Sequence, residues 1–317
     1  MLSNKKQSPQ IGLFNGLADQ LDQKHPLYQL ANRVNWSFFE NAFKKHYHEK
    51  MGAPAKPIRL MVSLLIIKSL RNLSDENLIE QWAENIYCQY IGGEQHFQPS
   101  IPCVPTELVA FRQRIGEPGV ELILQESIRI NKAPKDNNDS DIVKGKEHKK
   151  FEFGSKVSIT ISQSTGIIMG AINFTQTLYD SKTIPEVLEQ FERLNGRQAK
   201  DTFADRRYRG IKQYKGTTIH MPVPDKNITK AKRKKHSRRA AIESVTGHLQ
   251  QDYRLCRNYL KGIIGDNMNV IFSAAGMNFK RAMIPWRTEA IRCWLLICKY
   301  IVAANWNFFA PNLKLTF

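Results

Sequence analysis

The sequence predicts an all-α N-terminal region followed by an α/β region, and three observations carry that division. Apolar residues recur at helical spacing through residues 1–132; residues 133–150 are polar, charged and nearly free of apolar side chains; a two-residue alternation broken only at Ser155 begins at Phe151. We therefore expect a helical unit over 1–132, a polar linker over 133–150 and a sheet-containing unit over 151–317. The length, 317 residues, and the 42% hydrophobic content supply enough material for cores in both.

The helical unit is argued element by element. Leu60 to Leu70 is apolar nearly all round, which suits a buried helix. Ser74 is placed to cap the next helix, with Asp75 and Glu76 in its first turn and Leu78, Ile79 and Trp82 on one face. After a loop bearing Pro99, Pro102 and Pro105, Thr106 is placed to cap a helix whose stripe is Leu108, Phe111 and Ile115 and which stops at Gly116. Arg112, Gln113 and Arg114 fall largely off that stripe. Two readings stay open: a helix-turn-helix-like arrangement offering Arg112 and Arg114 to DNA, or an ordinary bundle with solvated arginines.

In the second unit, Phe151, Phe153, Val157, Ile159 and Ile161 alternate with Glu152, Lys156, Ser158 and Thr160, the pattern of a half-buried strand. Ser164-Thr165-Gly166 is turn chemistry, and Ile167–Phe174 completes a hairpin. Ile184, Val187, Leu188, Phe191 and Leu194 recur as a helix, with Pro185 at its start and Asn195-Gly196 at its end. Thr202-Phe203-Ala204 is a short strand running into Asp205; Ile219, Met221 and Val223 alternate as another. Ser237 to about Gln251 is a helix with Ile242, Val245 and Leu249 inward, and the tail to Phe317 reads as apolar helices packing on the sheet.

The net charge of +18 points to a polyanion, usually nucleic acid. Between Lys226 and Lys261 stand eleven Lys/Arg against two acids, a surplus of nine, so half of the excess charge lies in 36 residues. Lys230, Lys232, Arg233, Lys234, Lys235, Arg238 and Arg239 form its dense part and read as phosphate contacts. No signal-peptide-like core opens the chain, and the run Ile291–Ala304 is too short and too charged to span a bilayer. The five cysteines contain no CxxC pair and read as reduced thiols, neither a zinc site nor a disulfide framework. Two carboxylates stand near the basic tract: Asp205 at a strand end and Glu243 on the helix face away from Ile242, Val245 and Leu249. Acids so placed are the kind that converge on divalent cations in phosphoryl transfer.

Three collinear stretches resemble bacterial insertion-sequence transposases of the DDE class, in the subgroup with an InsH-like helical N-terminal domain. The first is Leu73-Ser-Asp-Glu-Asn-Leu-Ile-Glu-Gln-Trp-Ala-Glu-Asn85, with Gln89-Tyr90, Gly93-Glu94 and Phe111-Arg-Gln-Arg-Ile-Gly116. The second is Lys144-Gly-Lys-Glu-His-Lys-Lys-Phe-Glu-Phe-Gly154-Ser-Lys-Val, with Tyr179-Asp180 and Asp205-Arg-Arg-Tyr-Arg-Gly210. The third is Arg238-Arg-Ala-Ala-Ile-Glu-Ser-Val-Thr-Gly-His-Leu249, with Asn258-Tyr-Leu-Lys-Gly262 and Gly265-Asp266.

The resemblance implies an RNase H-like mixed sheet flanked by helices, and Mg2+-dependent (or Mn2+-dependent) DNA cleavage and joining. The implied partner is DNA of the transposon terminal repeats, with a homodimer as one assembly it allows and the bacterial cytoplasm as its place. Asp205 would carry the family's second aspartate and Glu243 its glutamate, both as metal ligands. Arg207 stands where the family usually has Gly, Ser244 replaces the usual Pro, and Gln250 the usual basic residue. The first catalytic aspartate, and the first strand that bears it, fall in a stretch that this sequence lacks between Gln125–Ile130 and Lys144. Asp136, Asp139 and Asp141 sit in the expected linker and are assigned no role. The expectation is an internally deleted copy: a sheet without its first strand, an incomplete metal set, and DNA binding without strand transfer.

Overall fold

The computed structural model describes residues 16–48, 54–132, 141–145, 155–176, 178–205, 211–221 and 241–283. Several expectations lie outside these residues: Phe151 and Phe153 on the first predicted strand, Val223 on a later one, Arg207, the dense basic tract from Lys230 to Arg239, and the tail beyond Met283.

Seven helices build the N-terminal layer: α1 (Leu17–Gln20), α2 (Pro26–Arg33), α3 (Trp36–Lys44), α4 (Ile58–Arg71), α5 (Asp75–Glu84), α6 (Ile86–Ile91) and α7 (Pro105–Asn131). Helix α4 is the hub, with Leu60 through Ile67 buried on every side, and it ends on Asn72 in the left-handed conformation (φ 57°). The Ser74 side chain accepts from the Asn77 N–H and caps α5 as expected. Thr106 does not cap α7. The N-cap is Val104, whose N–H donates to the Glu107 carboxylate, and Pro105 takes the first helical position, where its missing N–H costs nothing. Gly116 (φ 61°, ψ −173°) breaks α7 as predicted, and a second helical segment continues past Pro118 to Asn131.

The α/β region is a six-stranded mixed sheet in the order β3-β2-β1-β4-β6-β5. Its strands are β1 (Asp141–Gly145), β2 (Lys156–Ser162), β3 (Ile168–Phe174), β4 (Asp201–Phe203), β5 (Gln213–Tyr214) and β6 (Thr217–His220). Strands β1–β2–β3 pair antiparallel; β1–β4 and β4–β6 pair parallel. Helix α8 (Ile184–Asn195) precedes β4, begins with Pro185 near its start and ends on Gly196 at φ 67°. Helix α9 (Ala241–Asp252) and helix α10 (residues 262–283) follow the strands.

Two expectations are corrected here. The central strand is present. Residues 141–145, read as linker, fill the position between β2 and β4, with Ile142 opposite Ser162 on one side and Thr202 on the other. Composition hides a strand of this length, because pairing on both edges satisfies its backbone without a long apolar run. Nor is β2 half-buried: Lys156, Ser158, Thr160 and Ser162 on its polar face are buried along with Ile159 and Ile161. That face tolerates burial because its polar atoms are spent locally. Lys156 pairs with Asp180, Thr160 Oγ1 donates to the Gly170 carbonyl, and the Ser162 hydroxyl accepts from the Thr165 hydroxyl and N–H in the hairpin turn.

The edge strand β3 is closed by side-chain amides. The Ala171 N–H donates to Gln190 Oε1 (2.8 Å) while Gln190 Nε2 donates to the Ala171 carbonyl (3.0 Å). Asn278 on α10 does the same for Ile168, at 3.0 and 2.8 Å, and Asn195 Nδ2 reaches the Met169 carbonyl. A bulge at Met169, where the register steps from Thr160↔Gly170 to Ile161↔Ile168, turns both Ile168 and Ala171 toward the free edge. Gln190 also donates to Glu121, and Asn278 to Ser127, both on α7. The sheet edge is thereby hydrogen-bonded to the helical layer, and one buried apolar cluster runs from Leu27 through Ile159 and Phe203 to Ala282.

Candidate functional site

The two predicted acids belong to elements that meet on β1. Strand β4 pairs with β1 along one edge and delivers Asp205, half-buried, two residues beyond its last paired residue. Helix α9 packs against β1 with Ile242, Val245 and Leu249 buried, and this leaves Glu243, in its first turn, exposed. The amphipathic pattern read from the sequence thus positions the glutamate: the apolar stripe goes down and the carboxylate stays up.

The parallel register decides which residue of β1 stands at the level of Asp205. Asp141 pairs with Asp201, Ile142 with Thr202 and Val143 with Phe203. The same register, continued two residues past its last pair, would bring Gly145 level with Asp205. Asp141 lies four residues lower, about 13 Å away along the strand. The one acid on this strand therefore sits at the wrong end to share an ion with Asp205. Asp201 is engaged elsewhere, its Oδ1 2.6 Å from His220 Nε2, and the His220 ring stacks on Phe203.

Among the described residues no three His, Cys, Asp or Glu side chains converge closely enough to hold an ion.

The predicted DNA contacts divide three ways. The dense basic tract (Lys230, Lys232, Arg233, Lys234, Lys235, Arg238, Arg239) lies outside the described residues. Arg114 is exposed, its guanidinium 4.6 Å from the Tyr47 ring centre. Arg112 is a correction: it is 4% exposed and grips Asp75 with both terminal nitrogens, at 2.9 and 2.6 Å. Lys68 Nζ adds a third bond to the same carboxylate at 2.7 Å. Arg112 thus ties α7 to the N-terminus of α5, where a carboxylate is already favoured by the helix dipole. Burial alone would raise the Asp75 pKa; the Arg112 and Lys68 hydrogen bonds outweigh it and hold the carboxyl below its ordinary value.

Sequence reasoning missed a cleft beside this cluster, between α4, α7 and the segment from Tyr253 to Ser273. Its one sequence signal is Asn258-Tyr-Leu-Lys-Gly262, a motif shared with the resembled family to which no chemistry is assigned.

Residues 16–114 match the model of a transposase domain of the DUF772 type, and residues 126–279 match that of the transposase DDE domain. A curated relative, the uncharacterized protein ORF8 in the nfe locus of Rhizobium meliloti, is 36% identical over 124 residues. That stretch is 38% of this chain, and the match spans 59% of the relative's length. No solved structure matches. Among the described residues no helix is long and apolar enough to cross a membrane. Two transposase matches in collinear order, on a helical layer and a mixed sheet, place the chain in the insertion-sequence transposases of the DDE class.

Proposed function

We propose that the chain is a transposase-type DNA-binding protein that holds transposon-end DNA and lacks strand-transfer activity. The family supplies the partner class, and the surplus of nine positive charges between Lys226 and Lys261 supplies sequence-independent attraction to phosphates. The strand order β3-β2-β1-β4-β6, antiparallel on one side of β1 and parallel on the other, supports an RNase H-like catalytic domain with α9 across its central strand. On that reading Asp205 and Glu243 are the surviving second and third acids of the DDE set.

The observation that carries the inactivity is the β1–β4 register. Continued two residues past its last pair, Val143↔Phe203, it would bring Gly145 level with Asp205, where the family's first aspartate would have to stand. We read β1 as a replacement strand, recruited from the residues after the lost segment. It restores the sheet's pairing without restoring the acid. Mg2+ or Mn2+ would meet two ligands instead of three, so the chain would bind DNA without cutting it.

The test is a nicking and joining assay on duplexes carrying the element's terminal repeats, in Mg2+ and in Mn2+. Salt-sensitive binding with no cleavage is expected. Divalent-metal-dependent cleavage that disappears in Asp205→Ala and in Glu243→Ala would show that another acid completes the set. Equal affinity for terminal-repeat and random duplex would remove the transposon-end assignment.

A further inference from the structure

The cleft between the helical layer and the C-terminal segment has a composition that no part of the DDE chemistry uses. Its walls include Leu65, Leu73 and Phe272, and it leaves about 60 Å3 of room, enough for several waters or one phosphate-sized group. Four cations line or flank it: Lys68, Arg112, Arg254 and Arg257. One carboxylate, Asp75, serves both Lys68 and Arg112. Arg254 is held in place by the backbone carbonyls of Asn72 (2.8 Å) and Leu73 (3.2 Å), and it adopts φ 60°, a conformation that side chains rarely take. Among the described residues, four positive charges against one negative leave the cleft under-neutralised. Consistent with this, burial and the neighbouring Arg112 and Arg254 lower the Lys68 pKa even though Asp75 is bonded to it.

The rim adds a second kind of chemistry. Tyr259 is 71% exposed, with the Arg254 guanidinium 5.3 Å from its ring centre, and Ile263 and Ile264 beyond it are more than half exposed. Cations in the cleft and an exposed aromatic ring on its rim suit a ligand that brings a negative charge together with a flat apolar face. Phosphate and a flat apolar face occur together in a nucleotide.

We propose that this cleft binds one unpaired nucleotide of single-stranded DNA, its phosphate between Arg254 and Arg257 and its base against Tyr259. A duplex cannot supply that base, because both faces of each paired base are covered by its neighbours. The inference rests on the DNA-binding reading above, and it adds a strand-selective contact formed by residues outside the DDE set.

The test uses the full chain and fluorescence anisotropy with two probes: a labelled 15-nucleotide single strand of mixed sequence and the corresponding duplex. Tyr259 and Arg257 are exposed, so their substitution leaves the fold intact, which a thermal melt checks. Tyr259→Ala should weaken single-strand binding by about tenfold, the usual loss of one stacked base, with duplex binding changed less than twofold. Tyr259→Phe should retain the single-strand affinity. Arg257→Ala should weaken single-strand binding and lower the slope of log affinity against log salt by about 0.7. Tyr259→Ala binding the single strand as tightly as the unaltered chain would overturn the inference and leave the DNA-binding reading standing. An unaltered chain that binds neither probe would remove the DNA-binding reading, and the cleft's assignment with it.

Discussion

Arg112 and Arg114 stand two positions apart on one helix and meet opposite fates. Two steps along a helix separate them by roughly 200°, so when Phe111 and Ile115 face the core, Arg112 is carried toward α5 while Arg114 stays outside. Periodicity alone could not say that Asp75 would be waiting for Arg112, because the pairing spans 37 residues and depends on how α5 docks. Arg112→Ala should therefore act on stability. It leaves Asp75 buried with Lys68 alone, at a cost of about 3 kcal/mol, whereas Arg114→Ala should change stability by less than about 1 kcal/mol. Urea unfolding of the two variants separates the roles. The same cluster sets a pH dependence. The Asp75 pKa is depressed in the folded chain, so its contribution is complete above the unfolded carboxyl value near ~4 and is lost as pH falls through the folded value. The urea midpoint of the unaltered chain should drop between pH 5 and pH 3, and Asp75→Asn should flatten that drop.

The elements with long apolar signatures were legible one by one: α4 from Leu60 to Leu70, α5 from Ser74, the break at Gly116, the β2–β3 hairpin, and α8 between Pro185 and Gly196. Strand β1 was not, since Asp141–Gly145 carries only Ile142 and Val143 as strand-forming residues in a polar surround, and its place follows from the vacancy between β2 and β4. The edge seal was equally hidden. Nothing in the sequence marks Gln190 and Asn278, 88 positions apart, as partners of one strand. Their geometry is nevertheless tight: a Cβ at Gly170 would lie 2.7 Å from Thr160 Oγ1 and 3.0 Å from Gln190 Oε1, which is why a glycine sits between the two amide clamps. Asn278→Ala would strip partners from the buried Ile168 N–H and carbonyl and from Ser127, for a loss of about 2–4 kcal/mol. Hydrogen exchange gives the finer readout. Ile168 should lose its protection in Asn278→Ala while Ala171, still held by Gln190, keeps it; equal loss at both would mean that the edge opens as one unit.

At the scale of the whole molecule, the candidate site splits into a part the sequence exposes and a part only the fold reveals. The placements of Asp205 at a strand end and Glu243 in a helix's first turn were legible because each ends or opens an element with a clear pattern. The strand between them was not, because its pairing joins residues some 60 positions apart in the chain. Charge is a property of the whole, and its reading is the most direct to test. With +18 on 317 residues, DNA affinity should fall steeply with salt, and the part owed to each phosphate contact is a slope of about 0.9 in log affinity against log salt on duplex DNA. Replacing Lys230, Lys232, Arg233, Lys234 and Lys235 together by Gln removes five charges. If the tract lies along the duplex backbone, the slope should fall by about 4 and binding at physiological salt should become weak, while the melting temperature stays close to that of the unaltered chain. A slope that falls by less than about 1 would mean that these side chains are solvated, and that the electrostatic grip on DNA comes from the cations of the helical layer and the cleft.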